Sequence, residues 1–281
     1  MTSLRDTCCY AERRADELRQ IWSHPAKINK VLILIEGSDD EAFYKNLFDS
    51  NTSDLQKDNG CGKIKRIHEC IASSNRIKHF LLIKDADFDR LLGEKSQLNK
   101  HYFLTDFHDL EVSFVLIPAV LESYLSELGL EFSEEQFSNP IYGELETLSL
   151  YKFLNYRDRR MVRFKKPELT VKTTDEITSI EHLLECYKPK NKPCITKQEL
   201  QDFINQNRSC CKLQITNGHD FIFRLTYMLK TIYNKQLKNI NPKEIEKQLR
   251  LKAITLETFK HSNLYAELFE WQNQNEKTIL L

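Results

Sequence analysis

The sequence predicts an α/β protein: a mostly parallel sheet flanked by helices, followed by a mainly helical C-terminal region. Three observations predict it. Val31–Ile35 (VLILI) and Phe80–Ile83 (FLLI) are uninterrupted apolar runs of strand length, the pattern of strands buried on both faces, as in a parallel sheet. Segments with helical apolar spacing lie before, between and after them. From about residue 130 strand-like runs give way to helical ones. The division expected is an N-terminal helix over 1–28, an α/β core over 29–128 and a mainly helical, basic region over 129–281.

Residues 4–23 form the first amphipathic helix, with Leu4, Tyr10, Ala11, Leu18, Ile21 and Trp22 as its apolar members, and Pro25 ends it. The strand Val31–Ile35 runs into Glu36-Gly37 and a helix from Asp39 to about Phe48, which Ser38 or Asp39 can cap. Asp49–Gly62 reads as a polar loop ending in Asn59-Gly60-Cys61-Gly62, and Lys63–Ser73 as a helix with Ile64, Ile67 and Ile71 on one face. Gly60-Cys61-Gly62-Lys63 lacks the spacing of a Walker phosphate loop. Phe80–Ile83 is the second buried strand and Tyr102–Thr105 a third. Asp106-Phe107-His108-Asp109-Leu110-Glu111 then opens a helical stretch to Leu128, with Asp109 or Asp106 as its cap. Glu131–Asn139 is acidic and loop-like. Residues 174–187 read as one helix, Lys188–Pro193 as a linker, and Thr196 opens a helix with Glu199 in a capping box. Asn217-Gly218-His219-Asp220 precedes a helix over Phe221–Leu237, which His219-Asp220 either caps or leaves for a substrate. Helices over 242–250 and 255–272 complete the chain.

Chemistry concentrates where the buried strands end. Glu36 leaves the first strand at its carboxyl end, where open α/β sheets place their sites. The second strand runs into Lys84-Asp85-Ala86-Asp87-Phe88-Asp89. Alternate residues of an extended segment share a face, so Asp85, Asp87 and Asp89 are expected to project together. Carboxylates held that close repel, and a divalent cation relieves the repulsion; Mg2+ favours such hard oxygen ligands. Glu111 either favours its helix terminus electrostatically or faces this metal.

Composition narrows the rest. Of 281 residues 41% are apolar and 29% charged, enough for a sizeable core in a helix-rich chain. No apolar run reaches the ~20 residues of a membrane span, and the start, MTSLRDTCCYAERRADEL, lacks the apolar middle of a secretory signal. The expectation is a cytoplasmic protein with reduced cysteines. None of the eight cysteines forms a C-x-x-C pair, and His182 with Cys186 makes only two ligands, so no zinc is expected. The zero net charge hides a polarity: residues 1–150 hold 17 Lys+Arg against 26 Asp+Glu, and residues 151–281 hold 24 against 15. The densest basic run, with Arg157, Arg159, Arg160, Arg163, Lys165 and Lys166, is interleaved with Tyr151, Phe153, Tyr156 and Phe164. That mixture suits phosphate contact and base stacking, although charge runs also serve as solvated helix faces.

Glu36-Gly37-x-x-Asp40-x-x-Phe43-Tyr44, followed by a strand ending in Asp85-x-Asp87, resembles the TOPRIM fold of topoisomerases, primases and OLD-family nucleases. With TDFHDLE and the later NGHD, the chain looks like the TOPRIM-containing bacterial anti-phage effectors, the AriB-type effectors of PARIS systems. The resemblance covers residues 31–115, and more loosely reaches 217–220. It implies that Glu36 is a metal ligand or general acid/base, that Asp85 and Asp87 bind Mg2+ (or Mn2+), and that Asp40 assists them, with Glu111, Asp89, Lys84 and His219 as further candidates. Lys84 departs from the pattern, standing where an apolar residue is usual. The resemblance further implies a toxic nuclease, held inactive by an ABC-type ATPase partner, which cleaves host tRNA when released and is a homodimer when active.

Three readings compete. One is the TOPRIM nuclease, acting on RNA or, in the OLD-like manner, on DNA. A second is a phosphatase-like enzyme using Asp85-x-Asp87 through a covalent phosphoryl intermediate, with no need of Glu36. The third is a non-catalytic TOPRIM regulatory subunit, against which the intact acids argue.

Overall fold

The computed structural model describes residues 4–58, 61–74, 76–93, 101–164, 173–189, 194–232 and 240–281. The fold is α/β, with a four-stranded all-parallel sheet flanked by helices and a helical C-terminal region. The chain divides into two compact units, Met1–Asp85 with Lys95–Asp106 and Phe259–Leu281, and Ala86–Glu94 with Phe107–Thr258. The last segment of the chain therefore belongs with the sheet rather than with the helices before it.

In the first unit α1 (Leu4–Trp22) is followed by β1 (Val31–Ile35), α2 (Ser38–Tyr44), β2 (Ser53–Lys57), α3 (Cys61–Ala72), β3 (Phe80–Lys84) and β4 (Tyr102–Leu104). The sheet order is β2-β1-β3-β4, with Ile33 opposite both Leu55 and Leu81, and Ile83 opposite Phe103. Every residue of β1 and β3 is buried, as their continuous apolar runs require of central parallel strands. β2 corrects the expected loop over Asp49–Gly62. Its sequence, SDLQK, is polar because it is an edge strand with only Ser53 fully buried, so it carries no apolar run to announce it.

α1 packs on α3 through buried Ala11, Ala15 and Leu18 facing Ile64, Ile67 and Ile71. Arg19 fastens the pair, donating to the Cys70 carbonyl at 2.5 Å and to Ser74 Oγ at 3.0 Å. Ile21, expected on the apolar face, is exposed, and the Leu4 side chain lies outside what the structure describes. The carboxyl end of the chain closes this unit. Asp49 donates its N–H to the Ile279 carbonyl, and Leu281 donates to Leu47.

The second unit is helical. Its elements are a π-helical turn (Glu111–Val115), α4 (Pro118–Glu127), α5 (Ser138–Arg157), α6 (Thr174–Thr178), α7 (Ile180–Cys186), α8 (Lys197–Asn207), α9 (Lys212–Ile215), α10 (Gly218–Ile232) and α11 (Pro242–Thr255). α12 (Asn263–Gln274), after a short 3-10 turn, belongs to the first unit. The helix expected through Leu128 is broken: the π-helical turn ends at Leu116, and Pro118, suited to a first helical turn, starts α4 afresh. Residues 174–187 likewise form two helices, because extended Ser179 (ψ 114) ends α6 and its hydroxyl accepts the His182 N–H to cap α7. α5 is the centre of this unit, lying against α6, α8, α9 and α10. Phe88 stacks on Phe153, Phe153 meets Phe203, and Tyr142 meets Phe221. Arg224, nearly fully buried, is held by Glu144, by Thr174 Oγ1 at 3.2 Å and by the Tyr227 ring. Among the described residues no helix is long and apolar enough to cross a membrane.

Candidate functional site

Two constellations come from the residues singled out above, one in each unit. The first stands at the carboxyl end of the sheet. β1 and β3 are parallel neighbours with Ile35 opposite Ile83, so Glu36 comes level with Lys84, and Asp85 follows one residue beyond it at the neighbouring strand end. Both are half-buried. The turn carrying Glu36 is braced by Asp40, whose Oδ2 accepts the Gly37 N–H at 2.9 Å at the start of α2. Asp40 thus spends one oxygen on orienting this turn. Lys84 is buried and donates from Nζ to the carbonyl of the next residue, Asp85, at 2.7 Å.

The alternation expected of Asp85, Asp87 and Asp89 ends at Asp85. Asp87 has a positive φ of 45° and residues 87–90 form a turn, so the period-two geometry of a strand no longer applies. Asp87 and Asp89 belong to the second unit. There the Asp87 N–H donates to the His108 carbonyl at 2.6 Å. Asp89 is 2% exposed and accepts the Tyr156 hydroxyl at 2.5 Å, so its carboxylate serves the packing of this unit.

The second constellation joins the two outlying motifs. Asp109 is buried; its Oδ1 accepts the Val112 N–H at 3.0 Å, capping the π-helical turn as expected. Its Oδ2 accepts from the Gly218 N–H at 2.7 Å and the Asn217 amide at 3.1 Å, with the His108 ring nitrogen at 3.3 Å. Burial pushes the Asp109 carboxyl up, but the His108 ring and these N–H donors outweigh it and hold it below the usual range. Gly218 is required here by space: a Cβ would meet Glu111 Cβ at 2.2 Å. His219 therefore comes beside Glu111. Its Nδ1 lies 3.4 Å from Glu246 Oε2, and Arg250 binds both Glu111 Oε1 and, at 3.0 Å, Glu246 Oε1. One ligand atom from each of Glu111, His219 and Glu246 lies within 4.8 Å of the others.

The electrostatics follow from burial and pairing. Burial pushes the Glu111 carboxyl up to about 7 against the pull of Arg250. The hydrogen bond that His219 donates to the Glu246 carboxylate raises His219 to about 9 despite desolvation. Glu246 is also desolvated, but His219 and Arg250 hold it below its ordinary value. Capping of α10 falls to Asn217, whose Oδ1 accepts the Asp220 N–H at 3.3 Å, while Asp220 itself pairs with Lys152. This corrects the expectation that His219-Asp220 is the cap. Glu246 and Arg250 were not legible as site residues. They sit on α11, far along the chain from Glu111, and an ordinary i,i+4 pair in KEIEKQLR was their only signal.

The basic run is partly spent inside its own unit. Arg157 pairs with Asp158 and lies over the Phe203 ring at 4.6 Å, and Arg160 binds Glu199. Glu199 consequently answers Arg160, while Thr196 caps α8 by accepting the Glu199 N–H. Tyr151 and Phe153 are core residues with no face for a stacked base, and Phe164 packs against Tyr151 and Tyr187. Arg159 and Arg163 are exposed; Lys165 and Lys166 lie outside the described residues. A separate pocket of 520 Å³ in the first unit, at the carboxyl end of β2, is lined by Tyr10, Arg13, Arg14, Glu17, Lys57 and Asp58.

A scan against protein-family models finds no match, and neither a search of curated proteins nor one of solved structures finds a similar chain.

Proposed function

We propose that this chain is a metal-dependent nuclease of TOPRIM type, the toxic effector of an anti-phage defence system, cleaving host RNA, with tRNA the favoured substrate, once an inhibitory ATPase partner releases it. The observation that supports it is the pair Glu36 and Asp85 at the ends of adjacent parallel strands. The sequence motifs around them supply the family likeness; the effector role, the partner and the tRNA substrate rest on that likeness.

The donor set of the first unit suits Mg2+, since Glu36 and Asp85 offer hard carboxylate oxygens on rigid strand ends. When bound there, the ion neutralises charge developing on a phosphodiester and activates water. The chain's own residues do the positioning. Asp40 fixes the Gly37 turn from which Glu36 projects. Glu36 would hold or move a proton at the reacting centre. Asp87 follows two residues after Asp85, outside the sheet unit, and is the second acid of the pair that the motif implies. The pocket with Arg13, Arg14 and Lys57 lies at the same end of the sheet as Glu36, where Arg14 pairs with Glu17 and Asp58 and Lys57 with Glu41, so a backbone phosphate there would compete with those carboxylates.

The test is cleavage of tRNA and of DNA by purified full-length chain with Mg2+, for wild type, Glu36→Ala and Asp85→Asn. Both variants are expected to lose activity by at least about a hundredfold while folding normally. Full activity in Glu36→Ala overturns the nuclease reading. Nicked DNA beside intact RNA retains the nuclease and removes the RNA substrate.

A further inference from the structure

We propose that Glu111, His219 and Glu246 form a metal site within the helical unit that takes a borderline transition-metal dication of the Zn2+ class and clamps that unit.

The geometry is close to what such an ion requires. Bonds of about 2.0–2.2 Å to nitrogen and oxygen place neighbouring ligands about 3–3.5 Å apart. His219 Nδ1 and Glu246 Oε2 are already 3.4 Å apart, and all three ligand atoms fall within 4.8 Å. Small side-chain rotations close the remainder. Imidazole with two carboxylates favours Zn2+ or a similar ion over Mg2+, which prefers an all-oxygen shell.

The surroundings also fit. Arg250 takes Oε1 of Glu111 and Oε1 of Glu246, fixing both carboxylates while their second oxygens are the ones that serve a metal. Partners of this kind orient metal ligands and tune their affinity. Asp109 performs the same office for His219, gripping the preceding Asn217 and Gly218. The close approach at Gly218 sets His219 against Glu111 and tolerates no side chain. Once His219 gives up its proton to serve as a ligand, Asp109, Glu111 and Glu246 against Arg250 leave two formal negatives in excess, which a dication balances. Glu111 is buried, whereas the His219 side chain is 59% exposed, so the ion has a path of entry and an open position for water.

The ligands come from the π-helical turn, α10 and α11, three elements distant in sequence. An ion there ties them together, and its binding free energy adds to the stability of this unit.

The experiment uses full-length chain stripped with chelator and titrated with Zn2+ by calorimetry, then with Co2+ for its absorption spectrum. Wild type and Glu36→Ala are expected to bind one equivalent and to gain in thermal midpoint. His219→Ala and Glu246→Gln, folded by circular dichroism, are expected to bind at least ~10-fold more weakly and to lose that gain. The Co2+ spectrum is expected to lack a sulfur-to-metal charge-transfer band. Absence of binding by wild type, undiminished binding in both variants, or loss on Cys210→Ser/Cys211→Ser instead, overturns the proposal. Because Glu36→Ala keeps the site, failure of the nuclease reading and failure of this one are told apart.

Discussion

A methyl group on Gly218 would lie 2.2 Å from Glu111 Cβ and 2.8 Å from Asp109 Oδ1, far inside van der Waals contact. The glycine is there for clearance, since it opens α10 without a positive φ. Gly218→Ala must therefore push the loop off Asp109 and stretch the 2.7 Å bond from its own N–H. The expected cost is about 2–3 kcal/mol, the upper part of the range for overpacking a tight interior. Urea unfolding of the variant against wild type measures it, and an unchanged midpoint would mean the loop relaxes freely. The sequence made Asn217-Gly218-His219-Asp220 legible as a helix start. It concealed that Glu111 is the neighbour, because a steric contact between distant residues leaves no periodic trace. The same holds for Asp87, whose left-handed backbone breaks an alternation that a DxD read from residues alone assumes.

Among the elements, α12 shows how a predicted role moved. Of the two caps the sequence offers for the helical stretch after residue 105, Asp109 takes the role and Asp106 does not. Instead Asp106 Oδ2 accepts the Asn263 N–H at 2.8 Å and Oδ1 the Leu264 N–H at 2.9 Å, satisfying two donors that the first turn of α12 leaves unpaired. Ser262 caps the same turn through Tyr265 N–H at 3.0 Å. Asp106→Ala is expected to cost about 1–2 kcal/mol, with faster amide exchange at Asn263 and Leu264; exchange unchanged there would show that Ser262 suffices alone. Elements with strong local signals were legible: β1 and β3 by their apolar runs, α1 and α3 by helical periodicity, α8 by its Thr196 cap. Those set by long-range pairing were not. β2 is recognisable only by its register with β1, and the break at Ser179 only by the hydroxyl that restarts the helix. The strand-end placement of Glu36 and Asp85 was likewise readable, because it follows from the strands themselves. Glu246 and Arg250 were not, since nothing local distinguishes them from a solvated ion pair.

At the scale of the whole molecule, one buried histidine makes the stability of the sheet unit depend on acid. The sheet unit buries His68 of α3, 3% exposed, between the rings of Phe80 at 5.3 Å and Tyr102 at 5.9 Å. Desolvation pushes its pKa down to about 4, the neighbouring His101 pulls in the same direction, and the backbone hydrogen bond to His101 and the charge of Glu69 oppose them weakly. The unfolded chain accepts this proton near the ordinary value of about 6.5, before the folded one does. Stability from this group is therefore complete above pH ~6.5, is lost as pH falls toward ~4, and is level below that. The interval corresponds to about 3 kcal/mol in all. His68→Leu removes the titration and keeps an apolar filling of similar size. Urea midpoints of wild type and variant, followed from pH ~7 to pH ~4, are expected to converge or cross as the pH falls, with the wild type losing stability more steeply. Parallel curves would assign the acid sensitivity of the sheet unit to its carboxylates and not to His68.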